Sequence, residues 1–235
     1  MVVRASNDGT TMTTIKFSLT RRAMLAASIP ALMLVAPALA EKAPAPKVTV
    51  DELMAPNALP DIVQGKADAP VTIVEYASMT CSHCAAFHRD VYPILKKDFI
   101  ETGKVKFILR EFPLDPIATA AFMLARALGD DKRDAAVDLL FSQQKNWAFT
   151  ETPLEGLAGI VKQAGIGQAQ FETTLKDAKL QHDIVAVRDR GAQKFGVNAT
   201  PTFFINGVKF TGEMKGGELD KIIGDAAKDP PAPAK

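Results

Sequence analysis

The chain has 235 residues, of which 28 are Lys or Arg and 27 are Asp or Glu, so the formal net charge at pH 7 is +1. Because this balance contains no block of basic residues, we expect no nucleic acid among the partners. The length suits one well-packed domain with an insertion. Only two cysteines are present, which is too few for a disulfide-rich scaffold.

Residues 1–40 have the three-part layout of a secretory signal peptide. Basic residues precede an apolar stretch at residues 23–36, and Ala38-Leu39-Ala40 forms a small-x-small cleavage site. The apolar stretch is short for a transmembrane helix, although an uncleaved anchor is the alternative. The pair Arg21-Arg22 resembles a twin-arginine signal, so export by the Sec or the twin-arginine route stays open. Cleavage leaves 24 basic and 26 acidic residues, and we expect a periplasmic protein without stable membrane insertion.

The next segments predict a linker followed by a strand, a helix and a second strand. Residues 41–60 contain four prolines and have room for at most one short helix, near residues 50–54. Residues 71–77, VTIVEYA, are β-branched and apolar, as is typical of a buried strand. A helical pattern then runs over residues 81–99 and is kinked by Pro93. Residues 104–112, KVKFILREF, predict the second strand.

The remainder predicts a block of helices and then a hairpin with a final helix. Residues 114–195 are helical by pattern, with breaks predicted near Gly129, Thr150 to Pro153, Gly165 and Asp183. Strands at 202–205 and 208–211 flank Asn206-Gly207, a favoured hairpin turn. A helix closes the chain at 216–227, and residues 229–235 form a flexible tail.

This element order predicts an α/β thioredoxin fold. A β-α-β half and a β-β-α half are separated by a helical insertion at about 114–195, and the whole domain occupies residues 61–228.

Both cysteines lie in the single stretch TCSHC, where Cys81 and Cys84 are three residues apart. A disulfide that closes so small a loop stabilises the fold little, so the pair is predicted to carry redox chemistry. Because TCSHC follows a buried strand, Cys81 is placed at a helix N-terminus, where unpaired N–H groups and the helix dipole favour a thiolate. We therefore predict Cys81 as the accessible nucleophile and Cys84 as the buried resolving thiol.

The two residues between the cysteines are predicted to tune the thiolate. His83 can supply positive charge and an N–H donor, and Ser82 can supply a hydroxyl. Both groups favour the reduced form, which makes the disulfide a stronger oxidant. The alternatives are a structural disulfide and a zinc site that combines both cysteines with His88. Zinc needs four ligands and no second CxxC exists in the sequence, so we expect neither metal nor cofactor.

Two further features are candidates for the same site. In thioredoxin folds a cis-proline loop abuts the CxxC pair, and Thr200-Pro201, directly before an apolar strand, stands where that loop is expected; a trans proline at a strand start is the alternative. Glu75 is a lone acid in the apolar strand before Cys81. It is either a buried proton acceptor for Cys84 or a solvated residue at a sheet edge.

With these features the chain resembles the DsbA family of exported thiol-disulfide oxidoreductases from about residue 60 to 227. The resemblance is carried by VTIVEYASMTCSHCAAFH and FGVNATPTFFINGV. It implies that Cys81 is the nucleophile, Cys84 the resolving thiol, Thr200-Pro201 the cis-proline loop and Glu75 the buried acid. It also implies reduced or unfolded exported proteins as substrates and a DsbB-type membrane quinone oxidoreductase as electron acceptor. The family dipeptide Pro-His is replaced here by Ser82-His83.

Three functional hypotheses follow. The chain is an oxidase that donates disulfides to exported proteins, an isomerase or reductase on the same fold, or a non-enzymatic chaperone or binding protein that keeps the scaffold. The presence of both cysteines disfavours the third hypothesis. Isomerases of this kind carry a long N-terminal dimerisation domain, and residues 41–60 are too short and rich in proline to form one.

Overall fold

The computed structural model describes residues 48–228 of the protein. The predicted signal peptide at 1–40, the first part of the predicted linker and the predicted tail at 229–235 lie outside the described residues. The described part of the linker contains the short helix α1 at Val50–Met54, where the sequence predicts one. Thr49 caps it in a reciprocal capping box with Glu52.

Within residues 48–228 the secondary structure follows the predicted order. The strands are β1 Val63–Gln64, β2 Val71–Ala77, β3 Val105–Glu111, β4 Thr202–Ile205 and β5 Val208–Thr211. The other α-helices are α2 Ser82–Asp90, α3 Tyr92–Leu95, α4 Pro116–Ala127, α5 Asp130–Ser142, α6 Pro153–Gln163, α7 Gln168–Leu175, α8 Ala178–Phe195 and α9 Leu219–Lys228. A π-helical turn covers Lys96–Ile100, and 3-10 turns cover Gln144–Asn146 and Gly216–Glu218.

The five strands form one mixed sheet in the order β1-β3-β2-β4-β5. β2 lies at its centre, parallel to β3 and antiparallel to β4, and all seven of its residues are buried. This explains why VTIVEYA lacks the alternation of a half-exposed strand. The two-residue strand β1, which pairs antiparallel with β3, is too short to leave a pattern in the sequence and was not predicted.

The alternation of side chains along β2 divides the core between the two faces of the sheet. Ile73 and Ala77 pack in a large cluster that also contains Cys81 and Cys84, whereas Val74 and Tyr76 pack in a smaller cluster on the other face. Glu75 has the same parity as Ile73 and Ala77. Its side chain therefore lies on the face that α2 covers.

The helical insertion is anchored to the sheet by a buried group of charges. Glu111, at the end of β3, accepts hydrogen bonds from Arg126 of α4 at 2.9 Å and from Arg133 of α5 at 2.7 Å. Burial alone would raise the pKa of Glu111, but the two guanidinium groups outweigh burial and lower this pKa to about 2. The insertion thus joins the sheet at the strand beside β2.

Two helix breaks differ from the predicted positions. The helix predicted over residues 81–99 is interrupted at Val91, two residues before Pro93, and continues as α3. A proline has no N–H to donate back and fits best in the first turn of a new helix. The break predicted at Asp183 is wrong. It lies at Asp177, whose side chain caps α8 by accepting the N–H of Leu180, while Asp183 lies inside that helix and pairs with Lys179.

The predicted hairpin turn is confirmed, and it also contacts the N-terminal segment. Asn206 and Gly207 adopt φ values of 46° and 81°, as the favoured two-residue turn requires. The Asn206 side chain accepts the N–H of Thr72 at 2.8 Å, and the Val48 N–H donates to the Gly207 carbonyl at 2.9 Å.

Among the described residues, no helix is both long enough and apolar enough to cross a membrane.

Candidate active site

The two cysteines lie where β2 ends and α2 begins. Cys81 is the N-cap of α2, with an extended backbone (φ −82°, ψ 117°), and its Sγ accepts the N–H of Cys84 at 3.3 Å. Sulfur thus takes the position that a serine or aspartate oxygen holds at most helix starts. The predicted placement of Cys81 at a helix N-terminus is confirmed.

Three contacts hold the loop between β2 and α2 in place. The Phe112 N–H donates to the Ala77 carbonyl at 2.8 Å. The side-chain amide of Gln144 donates to the carbonyls of Met79 at 2.8 Å and of Cys81 at 3.0 Å. Gln144 belongs to the 3-10 turn after α5, so the insertion fixes the CxxC loop directly. Sequence reasoning missed this residue, because a glutamine in a turn carries no signal for a contact 63 residues away.

The two thiols differ in exposure and in acidity. Cys81 is 8% exposed and Cys84 is fully buried. The hydrogen bond from the Cys84 thiol, together with the backbone N–H groups of Cys84 and His83, outweighs burial and lowers the pKa of Cys81 to about 6. Burial, followed by the negative character of Cys81 and Glu75, raises the pKa of Cys84 well above its ordinary value. At neutral pH the pair therefore holds one thiolate, on Cys81.

The side chains of Ser82 and His83 are both exposed. His83 Nδ1 lies 2.9 Å from Glu213 Oε1, and both side chains are about two-thirds exposed. Ser82 is exposed in the first turn of α2. Of these two residues, it is the backbone N–H of His83 that helps to lower the pKa of Cys81.

The Thr200–Pro201 peptide bond is cis and adjoins Cys81, as predicted from the sequence. When Cys81 is protonated, its thiol donates to the Thr200 carbonyl at 3.3 Å. Pro201 is buried, and β4 begins at the next residue, so the central strands of the sheet position this loop. The loop lies 119 residues from Cys81 in sequence, and the β2–β4 pairing brings the two together.

Glu75 is fully buried in the central strand, so the alternative of a solvated glutamate at a sheet edge is wrong. Its Oε2 lies 2.9 Å from Nε2 of His88, and Nδ1 of His88 lies 3.3 Å from Asp138 of α5. Burial alone would lower the pKa of His88, but the charge of Glu75 and the hydrogen bonds to both carboxylates raise it to about 9. Sequence reasoning named no partner for Glu75, and the structure pairs it with His88.

The zinc alternative receives no support from the described side chains. Across residues 48–228, no cluster of His, Cys, Asp and Glu has an arrangement that could hold a metal ion. Both ring nitrogens of His88 face carboxylates and not the cysteines.

Two clefts flank α2 beside the cysteines. One, of about 750 Å³, lies between α2 and the insertion, and Phe149 on its wall is 60% exposed. The other, of about 370 Å³, lies between α2 and the loop after β5, where Glu213 and Met214 form part of the wall. Both clefts reach the first turn of α2, through Ser82 and Ala85 in the larger cleft and His83 in the smaller one.

Comparison with known proteins gives a consistent result. The thioredoxin family model matches residues 57–225. The crystal structure of alpha-DsbA1 from Wolbachia pipientis superposes with a TM-score of 0.70 at 31% identity, covering 77% of this chain and 97% of that one. The oxidised BdbD of Bacillus subtilis superposes with a TM-score of 0.62 at 25% identity, covering 72% and 93%.

Curated relatives carry names of the same kind. A Rickettsia conorii protein, assigned provisionally by its name to the protein-disulfide oxidoreductases, is 31% identical over 176 residues, which is 74% of this chain and 63% of that protein. A Rickettsia typhi protein named in the same way is 33% identical over 63% of this chain and 56% of its own length. The chain therefore spans somewhat more than half the length of the curated relatives it matches.

The unequal thiols give a first testable prediction. When the reduced protein is alkylated at pH 6 to 7, we expect Cys81 to react well before Cys84, with a rate that follows ionisation at a pKa of about 6. Mass spectrometry of proteolytic fragments measures the label on each cysteine against pH. Equal labelling of both cysteines, or labelling of Cys81 only near the ordinary thiol pKa, would contradict the thiolate at the helix N-terminus.

Proposed function

Because the chain belongs to the thioredoxin family and, within it, to the DsbA-like proteins, we propose that it is a protein thiol-disulfide oxidoreductase that acts through Cys81 and Cys84. One observation carries the proposal. Cys81, the more acidic and more accessible thiol, lies at the start of α2 against the cis-proline loop, with a buried second thiol one turn further along the helix. Nucleophile, resolving thiol and a backbone edge for the substrate are thus side by side.

In the oxidising direction, a substrate thiolate attacks Sγ of Cys81 in the Cys81–Cys84 disulfide. The S–S bond breaks, a mixed disulfide forms, and Cys84 leaves as a thiolate that takes up a proton because its pKa is high. A second substrate thiolate then attacks the substrate sulfur, which releases Cys81 as a thiolate. Two electrons pass to the protein, and at neutral pH the reduced site retains one proton, on Cys84.

The low pKa of Cys81 supports donation of disulfides over isomerisation. Whatever stabilises the Cys81 thiolate stabilises the reduced protein and hence makes the disulfide a stronger oxidant. An isomerase needs a reduced nucleophile that attacks and leaves repeatedly, and a surface that holds misfolded substrates. We therefore keep the isomerase or reductase role and the non-enzymatic binding role as alternative hypotheses.

Linkage gives a second prediction, for the dithiol form. In this form Cys81 has a folded-state pKa of about 6, below the ordinary value of 9. The stabilisation of the folded protein by the Cys81 thiolate is therefore lost as pH falls through 6 and increases as pH rises towards 9. From pH 6 to pH 8 this group should raise the free energy of unfolding of the dithiol protein by about 2 kcal/mol relative to a form without an ionisable Cys81, in which His88 and the other titrating groups act alike. The measurement is denaturant unfolding of the dithiol protein against pH.

The oxidised protein and the reduced variant Cys81→Ser serve as controls for that measurement. Both lack the ionisable Cys81 thiol, so the dithiol protein should gain about 2 kcal/mol of unfolding free energy on each of them between pH 6 and pH 8. If either rose as much as the dithiol protein, another group would be responsible. A disulfide form more stable than the dithiol form at pH 8 would contradict an oxidising site.

The third prediction concerns activity. Oxidised protein should rapidly form the disulfide of a reduced two-cysteine peptide, while it should rescue a substrate with scrambled disulfides poorly. Cys81→Ser should abolish oxidation, because no site remains for the mixed disulfide, and Cys84→Ser should trap the mixed disulfide. Chromatography with mass spectrometry follows both products. Efficient unscrambling would support the isomerase hypothesis, and binding without exchange would support the chaperone hypothesis.

Repeated turnover requires that the reduced site be oxidised again. We assign this step to a DsbB-type membrane quinone oxidoreductase, on the family resemblance of the CxxC and cis-proline segments. Membranes that contain such an oxidase should convert the stoichiometric reaction with the peptide into a catalytic one, whereas membranes without it should not.

Reduced or unfolded exported proteins are the proposed substrates, and the periplasm is the proposed location. The support is the signal-like pattern of residues 1–40, since disulfides persist in compartments outside the cytosol. The fourth prediction is that the exported protein begins at Glu41, directly after Ala38-Leu39-Ala40. N-terminal sequencing checks it, and an exported protein that retains Arg21-Arg22 would disprove cleavage at this site.

A further inference from the structure

We propose that the larger cleft, between α2 and the insertion, is a subsite for an acidic side chain of the substrate polypeptide, and that Lys145 selects that side chain. The inference rests on the proposed function and adds to it a class of preferred substrate, namely polypeptides that carry an aspartate or glutamate close to the reacting cysteine. The redox role of Cys81 and Cys84 does not by itself require such a preference.

The larger cleft adjoins the residue that bonds to the substrate. Ser82, which follows Cys81, and Ala85 line it on the α2 side. Gln144 lines it on the insertion side, and the amide of this side chain donates to the Cys81 carbonyl at 3.0 Å. An extended chain advances about 3.3 Å per residue. A side chain a few residues from the substrate cysteine can therefore enter the cleft while that cysteine is bonded to Cys81.

The insertion side of the cleft presents Lys145 from a fixed backbone. Lys145 lies in the 3-10 turn Gln144–Asn146, directly after the buried residue that holds the CxxC loop. The next residue after the turn, Trp147, is fully buried, and its Nε1 donates to the Leu140 carbonyl at 2.9 Å. The Lys145 side chain is exposed and lines the cleft. Its position is thus set by anchored residues on both sides.

The charges of the cleft are unbalanced. Among the described residues that line it, two are cationic, Arg89 and Lys145, and none is acidic. Arg89 is already neutralised by Asp90, which accepts two hydrogen bonds from its guanidinium at 2.8 and 2.6 Å. Lys145 takes part in none of the ion pairs within residues 48–228. The positive charge of Lys145 is therefore available to a carboxylate of the substrate.

The smaller cleft does not share this character. Its walls contain Glu213 and Asp90 together with Lys215, so charges of both signs are present. The consecutive residues Ser82 and His83 line different clefts, which places one cleft on each side of the first turn of α2. A substrate that crosses this turn meets the positive cleft with one flank only. The order of charges along the substrate chain should therefore matter, and not only its net charge.

The other walls of the larger cleft suit the apolar stem of an acidic side chain. Phe141 and Ala85 are buried beneath it, and Phe149 on its wall is 60% exposed. A glutamate can pack its methylene groups on these residues while its carboxylate meets Lys145. Exposed charges at the edge of a binding site mainly change the rate of association and its dependence on salt. The preference should therefore appear in the second-order rate of substrate oxidation.

The fifth prediction compares two reduced peptides of identical composition, each with two cysteines. In one peptide a glutamate stands two residues before each cysteine and a lysine two residues after it, and in the other the order is reversed. Oxidised protein is mixed rapidly with each peptide at low ionic strength, and the second-order rate is divided by the ionised fraction of peptide thiol. One order should react roughly threefold faster, as expected for an exposed ion pair. In 1 M salt the ratio of the two rates should approach one.

A charge series at Lys145 tests the assignment of this preference. Lys145→Arg should keep the ratio, Lys145→Gln should bring it close to one, and Lys145→Glu should invert it. Any change in the reactivity of Cys81 affects both peptides and cancels in the ratio. Lys194→Glu is the matched control, because it changes the net charge equally at an exposed position of α8 that lines neither cleft. It should leave the ratio as in the wild-type protein.

The outcomes distinguish this inference from the proposed function. Equal rates for the two peptides with the wild-type protein, or a ratio that Lys145→Glu does not move, would overturn the subsite. So would a ratio that Lys194→Glu moves as far, because the response would then follow net charge. Unfolding midpoints are measured for each variant, and if Lys145→Glu does not fold, Lys145→Gln and Lys145→Arg decide. Failure of the wild-type protein to oxidise either peptide would instead overturn the proposed function.

Discussion

The site depends on the hydrogen bond from the Cys84 backbone N–H to Sγ of Cys81. This bond exists because only three residues separate the end of β2 from Cys81, which becomes the N-cap of α2. The same junction exposes Cys81 to the unpaired N–H groups of the first turn and buries Cys84 one turn later. One local geometry thus makes the two thiols chemically different, and everything else around them preserves that geometry.

The helical insertion contributes more than bulk to this arrangement. The 3-10 turn after α5 supplies Gln144, which holds two carbonyls of the CxxC loop, and α5 supplies Asp138, which pairs with His88. The insertion is itself fixed to β3 through Glu111 and two arginines. A change in how α5 lies on the sheet would therefore affect both the CxxC loop and the buried Glu75. The insertion is thus part of the candidate active site, although its sequence carries no redox motif.

Local chemistry explains what could be predicted from the sequence. The buried strand at 71–77, the Asn206-Gly207 turn and the helix start at Cys81 each leave a pattern within a few residues. The fold class followed from the order of these elements. The contacts of Gln144 with the CxxC loop and of His88 with Asp138 were missed, because they join segments 50 or more residues apart and depend on how the insertion packs against α2. The shift of one break from Asp183 to Asp177 arose because an aspartate inside a helix and an aspartate that caps one look alike in sequence.

The dipeptide between the cysteines is where motif reasoning and structure differ most. From the motif we predicted that the side chains of Ser82 and His83 tune the pKa of Cys81. In the structure the His83 imidazole pairs with Glu213, and the groups that lower the pKa of Cys81 include the Cys84 thiol and backbone N–H groups. The donors at residues 83 and 84 are present whether serine or proline stands at position 82. The replacement of Pro-His by Ser-His therefore leaves these contributions to the low pKa of Cys81 in place.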